Sequence, residues 1–175
     1  MIHFTFDAER GSPLVANDRV AGRERTLAQK LALLWGVAFL LAGILGFIPG
    51  ITSNFDELEF AGPDSQAELL GLFQVSILHN IVHLLFGVGI LLARRHDSAL
   101  TYLLGSGVIY VVLVLYGIIF GGDNGDANFV PVNNWDTYFL HVVLALGLLA
   151  SYYAARNERR TGHVDTERTR DAGAI

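Results

Sequence analysis

The feature that most constrains this chain is the way its charges are withheld. Four windows, Leu31 to Asn54, Leu69 to Ala93, Ser98 to Gly122 and Thr137 to Ala155, contain no Asp, Glu, Lys or Arg. Each is about twenty residues or a little longer, and at ~1.5 Å per residue one such run covers the ~30 Å hydrocarbon core of a bilayer as a helix. A single soluble domain has no use for four runs of this length. With 52% apolar and 17% charged residues, the chain reads as an all-α bundle of four transmembrane helices. The spans are expected at about 27–48, 70–93, 100–120 and 136–155, inside a membrane domain over 25–155. A mobile cytoplasmic tail is expected over 1–24 and a charged one over 156–175.

The placement of charge says more than the net charge of -5. All twelve Lys and Arg fall in three segments, Arg10 to Lys30, the pair Arg94 and Arg95, and Arg156 to Arg170. The two remaining loops carry only acids: Asp56, Glu57, Glu59, Asp64 and Glu68 in the first, Asp123, Asp126 and Asp136 in the second. Under the positive-inside rule both termini and the middle turn face the cytoplasm, and both acidic loops face outward. The first 24 residues include acids and a Pro without an apolar centre, so span 1 is expected to be uncleaved. The absence of Cys removes disulfides, iron–sulfur clusters and thiolate chemistry without fixing a compartment. Nucleic acid is not an expected partner, because the Arg residues flank spans and alternate with acids. The expected surroundings are the lipid bilayer, with other membrane proteins or a second copy as further partners.

Within the second span the stretch Gln74 to Gly89, QVSILHNIVHLLFGVG, is apolar except for a stripe. At 100° per residue Ser76, His79, Asn80, His83 and Gly87 share about a third of the helix circumference. A polar stripe in a membrane must face other helices, where its atoms find partners. Span 3 aligns Tyr102, Ser106, Tyr110, Leu113 and Gly117; span 4 aligns Thr137, Tyr138, His141, Ala145, Leu148 and Tyr152. Gly36, Gly43 and Gly50 recur at seven-residue spacing, which sets one small-residue side of span 1 against a neighbour. Trp35 lies too deep for an interfacial belt position. The first outer loop, which mixes Phe55, Leu58 and Phe60 with acids, is expected to fold back as a cap. An internal repeat pairs Gly36 to Gly50 with Gly107 to Gly121 and, more weakly, His83 to Ala93 with His141 to Ser151. It makes His83 and His141 equivalent and describes two tandem parallel helix hairpins.

The segment GITSNFDELEFAGPDSQAELLGLFQVSILHNIVHLLFGVGILLAR, followed later by NNWDTYFLHVVLALGLL, resembles an uncharacterised family of small four-span bacterial membrane proteins, common in actinobacteria and known only as a domain of unknown function. The resemblance covers about Arg25 to Ala155 and is carried by HNIVHLLFG and the span 4 histidine. It implies a plasma-membrane (inner-membrane) four-helix protein and supplies no activity. A more distant similarity to DoxX-like membrane proteins rests on layout alone.

The candidate centre is therefore Ser76, His79, Asn80, His83, Tyr110, Tyr138 and His141. Its plainest role is interhelical hydrogen bonding, at about 0.6–2 kcal/mol per bond. A divalent metal on His79, His83 and His141 is the next reading, since i, i+4 histidines plus a third form the open three-His arrangement of zinc enzymes. Against it, Asn80 stands where a HExxH enzyme keeps its Glu, and no carboxylate is expected inside the bundle. Haem with His83 and His141 as axial ligands is a related reading. Proton or small-solute transport is a third, weakened by the lack of buried acids and of broken spans. The acidic DELE and DNGD runs do not match a Ca²⁺ loop. No nucleophile motif or phosphate loop is present, and GSG at 105–107 and GVG at 87–89 are packing glycines. The chain thus reads as a non-enzymatic structural or accessory membrane component, with haem or metal binding as the alternative.

Overall fold

The computed structural model describes residues 25–121 and 127–158; the tails expected over 1–24 and past 158, and Asp123 and Asp126, lie outside the described residues. The described chain is mostly helical. Three stretches are long and apolar enough to cross a membrane: α1 (Leu27–Leu45), α4 (His96–Phe120), and Asp136–Ala155, in which a π-helical turn over Asp136–Leu140 runs on into α5 (His141–Ala155). A shorter apolar stretch, Ile77–Leu92, comprises α2 (Ile77–Phe86) and α3 (Gly89–Leu92). The outward surface is apolar, with Leu34, Leu85 and Leu146 exposed by 62%, 67% and 64%. The interior is built from small and polar residues, Ala28, Ala32, Ala99, Ala145, His79, Asn80 and Ser106 among them. That inversion of the soluble pattern is how helices pack in lipid.

Helix α1 starts at a capping box. Thr26 Oγ1 accepts from Gln29 N, and Gln29 Oε1 accepts from Thr26 N at 2.9 Å, so two orphan donors are satisfied reciprocally. The helix buries Gly36, Phe39 and Gly43. A Cβ on Gly43 would stand 2.8 Å from the backbone of both Asn80 and Leu84, and one on Gly36 would stand 2.6 Å from Ile90 N. Backbone-to-backbone approach of α1 to α2 and α3 therefore depends on these two glycines. Gly50 does not belong to that face. It lies past the helix with φ 89° and nothing near its Cβ position, so its role is a turn. The deep Trp35 is accounted for as well: its Nε1 donates to Ser151 Oγ at 3.0 Å, and its ring lies against Gly147.

Residues 70–76, expected to be the start of span 2, are not helical. Strands β1 (Thr52–Ser53), β2 (Glu68–Leu69) and β3 (Phe73–Gln74) form an antiparallel sheet in that order, with Thr52 opposite Leu69 and Leu69 opposite Phe73. Leu70 and Gly71 both take left-handed backbone, φ 57° and 67°, which no right-handed helix can pass through. The helix begins instead after Ser76, whose Oγ accepts from His79 N at 3.1 Å. The next free donors of α2 go to the folded-back loop: Ile77 N to Glu59 O at 3.0 Å and Leu78 N to Phe60 O at 2.9 Å. This loop is a cap on the N-terminus of α2, and it satisfies groups that an isolated helix leaves orphaned.

Candidate functional site

Beneath that cap, the first turns of α2 and the start of the last helix bring their polar residues together. Ser76, His79, Asn80 and His83 are buried, as are Asp136, Thr137 and His141 on the other side. The imidazoles of His79 and His83, one helical turn apart, stack at 4.8 Å between centroids with planes 5° apart, and their Nε2 atoms stand 2.9 Å apart. Below them, aromatic contacts run from His83 to Phe39 (5.7 Å), from Phe39 to Tyr110 (5.5 Å, stacked) and from Tyr110 to His141 (5.5 Å).

Each polar residue has a local reason for its position. Asn80 donates through Nδ2 to Gly46 O at 2.9 Å, where α1 ends. Its amide occupies the space a Cβ on Gly46 would fill. Ser76 acts as the N-cap, its hydroxyl spent on His79 N. The last helix opens with a capping box built from Asn133 and Asp136. Asn133 Oδ1 accepts from Asp136 N and Asp136 Oδ2 accepts from Asn133 N, each at 3.0 Å. The same Oδ2 accepts from Gln74 N at 3.1 Å, which ties the cap sheet to the last helix. Asp136 is fully buried. The wider π turn that follows closes from His141 N to Asp136 O, and such turns recur at functional sites. It sets Thr137 against Gly117, where a side chain on the glycine would collide with it.

Two expectations change here. Tyr138 is not part of the centre: it is 62% exposed, because the π turn directs its neighbours Asp136 and Thr137 inward and leaves Tyr138 on the outer face. A carboxylate, expected to be absent from the bundle, is present as Asp136. The sequence signal was the spacing Asn133-x-x-Asp136, a capping-box pattern that reads as a solvated outer loop until Gln74 is brought to it. Thr137 likewise joins the site, and Phe39 and Gly46 complete its walls. The expected metal centre on His79, His83 and His141 is not assembled as it stands, since among the described residues no group of three or more His, Asp or Glu is placed to hold a metal ion. The third imidazole, His141, is buried and lies against Tyr110, with ring centroids 5.5 Å apart.

The hydrogen-bond inventory is incomplete within the protein. His79 Nδ1, His83 Nδ1, His141 Nδ1, Asn80 Oδ1, Asp136 Oδ1 and Thr137 Oγ1 are buried without a hydrogen-bond partner among protein atoms. In the histidine pair the shared Nε2 contact fixes opposite roles for the two Nδ1 atoms. If both rings are neutral, one Nε2–H donates to the other ring's bare Nε2, so the accepting ring carries its proton on Nδ1 and the donating ring has a bare Nδ1. The Pro131 carbonyl is within reach of His79, so His79 carries its proton on Nδ1 and accepts at Nε2, and His83 Nδ1 is the bare acceptor. A family model, that of a domain of unknown function (DUF4383), matches residues 29–154. No curated protein and no solved structure matches the chain.

Proposed function

From the premise that the chain belongs to this family of unknown function, we propose that it is a four-span accessory protein of a bacterial plasma membrane, with both termini cytoplasmic and a polar binding chamber at its outer end. The topology reading is supported by the charge segregation and by the stretch Ile77–Leu92, which serves as the second crossing. At ~1.5 Å per residue it is about 24 Å long, and the cap sheet above it makes up the remaining depth. The chamber reading is carried by the cluster of partnerless polar atoms. Leaving one buried polar group unsatisfied costs about 1–3 kcal/mol, so several together would consume most of the ~5–15 kcal/mol that stabilises a folded domain. A polar centre serving only as a helix-register lock would close its own bonds, as Trp35 with Ser151 does. This one requires a small guest that both donates and accepts, and water entering from the outer side meets that requirement.

A transition metal is the second reading, favoured by one observation: α2 and the last helix, tied together through Gln74 N and Asp136 Oδ2, bury three imidazoles and a carboxylate, residue types suited to such ions. It requires ring rotation to converge three ligands. Haem fits less well, because Phe39 and Tyr110 pack against His83 and His141 and a porphyrin would displace both rings.

The test measures magnetisation transfer from water to the ring protons of His79, His83 and His141 in detergent-purified protein, with elemental analysis and an absorption spectrum on the same sample. A hydrated chamber predicts transfer from water at all three rings, without metal. Stoichiometric zinc or copper selects the metal reading, and a Soret band selects haem. Absence of transfer at all three rings in metal-free, haem-free protein would refute the chamber. Reporter fusions at Asn17, Asp97 and Thr166 should report cytoplasm, and those at Asp64 and Asn128 the outside; an outside signal at Asp97 overturns the four-span topology.

A further inference from the structure

On the bundle's flank, away from the histidines, a groove of about 390 Å³ runs between the α2–α3 break and α4, lined by Val82, Phe86, Leu92, Thr101, Gly105 and Ile109 among others. Its walls are apolar, and of the polar groups bordering it Tyr102 Oη donates to Phe86 O at 2.9 Å and Thr101 Oγ1 donates to Asp97 O at 3.0 Å, while Ser106 is buried. Nothing stands within 4 Å of the Cβ position of Gly105, so that glycine leaves the groove open. From Thr101 to Ile109 the groove follows α4 for about 12 Å at ~1.5 Å per residue, close to the ~15 Å depth of one leaflet's hydrocarbon. At its end next to Leu92 and Thr101 lies the turn with Arg94 and Arg95, both exposed. The turn is held through its backbone, Gln29 Nε2 donating to Arg94 O at 2.9 Å. Asp97 follows on α4 and offsets part of their charge.

We infer that this groove and turn form a binding site for one anionic glycerophospholipid of the inner leaflet, with an acyl chain in the groove and the phosphate on Arg94 and Arg95. A groove close to one leaflet deep, apolar along its walls and cationic at one mouth, matches the chemistry of that amphiphile better than that of a polar solute. Assignment to the inner leaflet rests on the inward placement of the Arg94–Arg95 turn proposed above.

Native mass spectrometry of the full-length protein, titrated with phosphatidylglycerol and phosphatidylcholine of identical acyl chains, tests the site. Wild type should favour phosphatidylglycerol on the order of tenfold, given ~1 kcal/mol per surface Arg and the opposing Asp97. Arg94→Gln with Arg95→Gln should remove the preference, and Gly105→Leu, which fills open space, should weaken both lipids at least fivefold. Leu146→Phe, on the exposed face of α5, should change neither. Equal binding of the two lipids by wild type, or unchanged binding by Gly105→Leu, overturns the site. Oxidative linking of two Gly105→Cys chains would also overturn it, because the groove would then seat a second copy. Labelling Asp97→Cys with an impermeant maleimide separates the two readings. Outside labelling with the lipid preference intact removes the topology and the leaflet assignment but supports the site, whereas inside labelling with no preference removes the site alone.

Discussion

Replacing Asp136 separates its structural bonds from its charge. Its Oδ2 accepts from Gln74 N at 3.1 Å and from Asn133 N at 3.0 Å, and the side chain is fully buried. Asp136→Ala removes both acceptors and leaves two amide donors inside the protein, at about 1–3 kcal/mol each, so the expected loss is about 2–6 kcal/mol. At ~2–4 °C per kcal/mol for a chain of this size, the melting temperature should fall by at least ~4 °C. Asp136→Asn keeps a carbonyl oxygen that can accept both bonds. The amide nitrogen then replaces Oδ1, the atom without a partner, and should find bare imidazole nitrogens or water there. The Asn variant should therefore recover more than half of the Ala loss. The assay is thermal unfolding in one detergent, followed by size-exclusion recovery after heating and by tryptophan fluorescence. Asp136→Ala within ~0.5 kcal/mol of wild type would show that neither bond persists in the folded protein. An Asn variant as unstable as the Ala variant would show that the site needs the carboxylate itself.

Gly43→Leu places a branched side chain where even a Cβ stands 2.8 Å from backbone atoms of α2, so it should cost at least the ~1–3 kcal/mol typical of overpacking. Leu41→Phe, at a position 51% exposed, should change stability by less than ~0.5 kcal/mol in the same melt. Gly46→Ala should be destabilising because its methyl displaces the Asn80 amide, and combining it with Asn80→Ala should cost less than the sum of the two single changes. A double-mutant cycle showing simple additivity would mean that the two residues do not share that contact.

The sequence by itself determined what depends on short-range periodicity and on charge. Charge-free runs mark the apolar helices, and the 3.6-residue period sorts Ser76, His79, Asn80 and His83 onto one face, which the structure buries. In α4 the same period sets Tyr102, Ser106, Tyr110 and Gly117 inward. Tertiary structure decided the rest, because it depends on partners remote in the chain. Ser76 became a cap rather than a lining residue once Glu59 and Phe60 returned to close the end of α2. Glycine spacing alone treated Gly50 like Gly43, yet only a facing helix distinguishes a packing glycine from a turn. Tyr138 and Asp136 exchanged their expected places when one π turn rotated the start of the last helix. Asp136 reads as a solvated loop acid in the sequence, and it is tolerated in the interior because Gln74, 62 residues away, supplies an amide donor that no local pattern could announce. A desolvated carboxylate is costly until its hydrogen bonds are made, so its burial became possible only when the cap sheet and the last helix met.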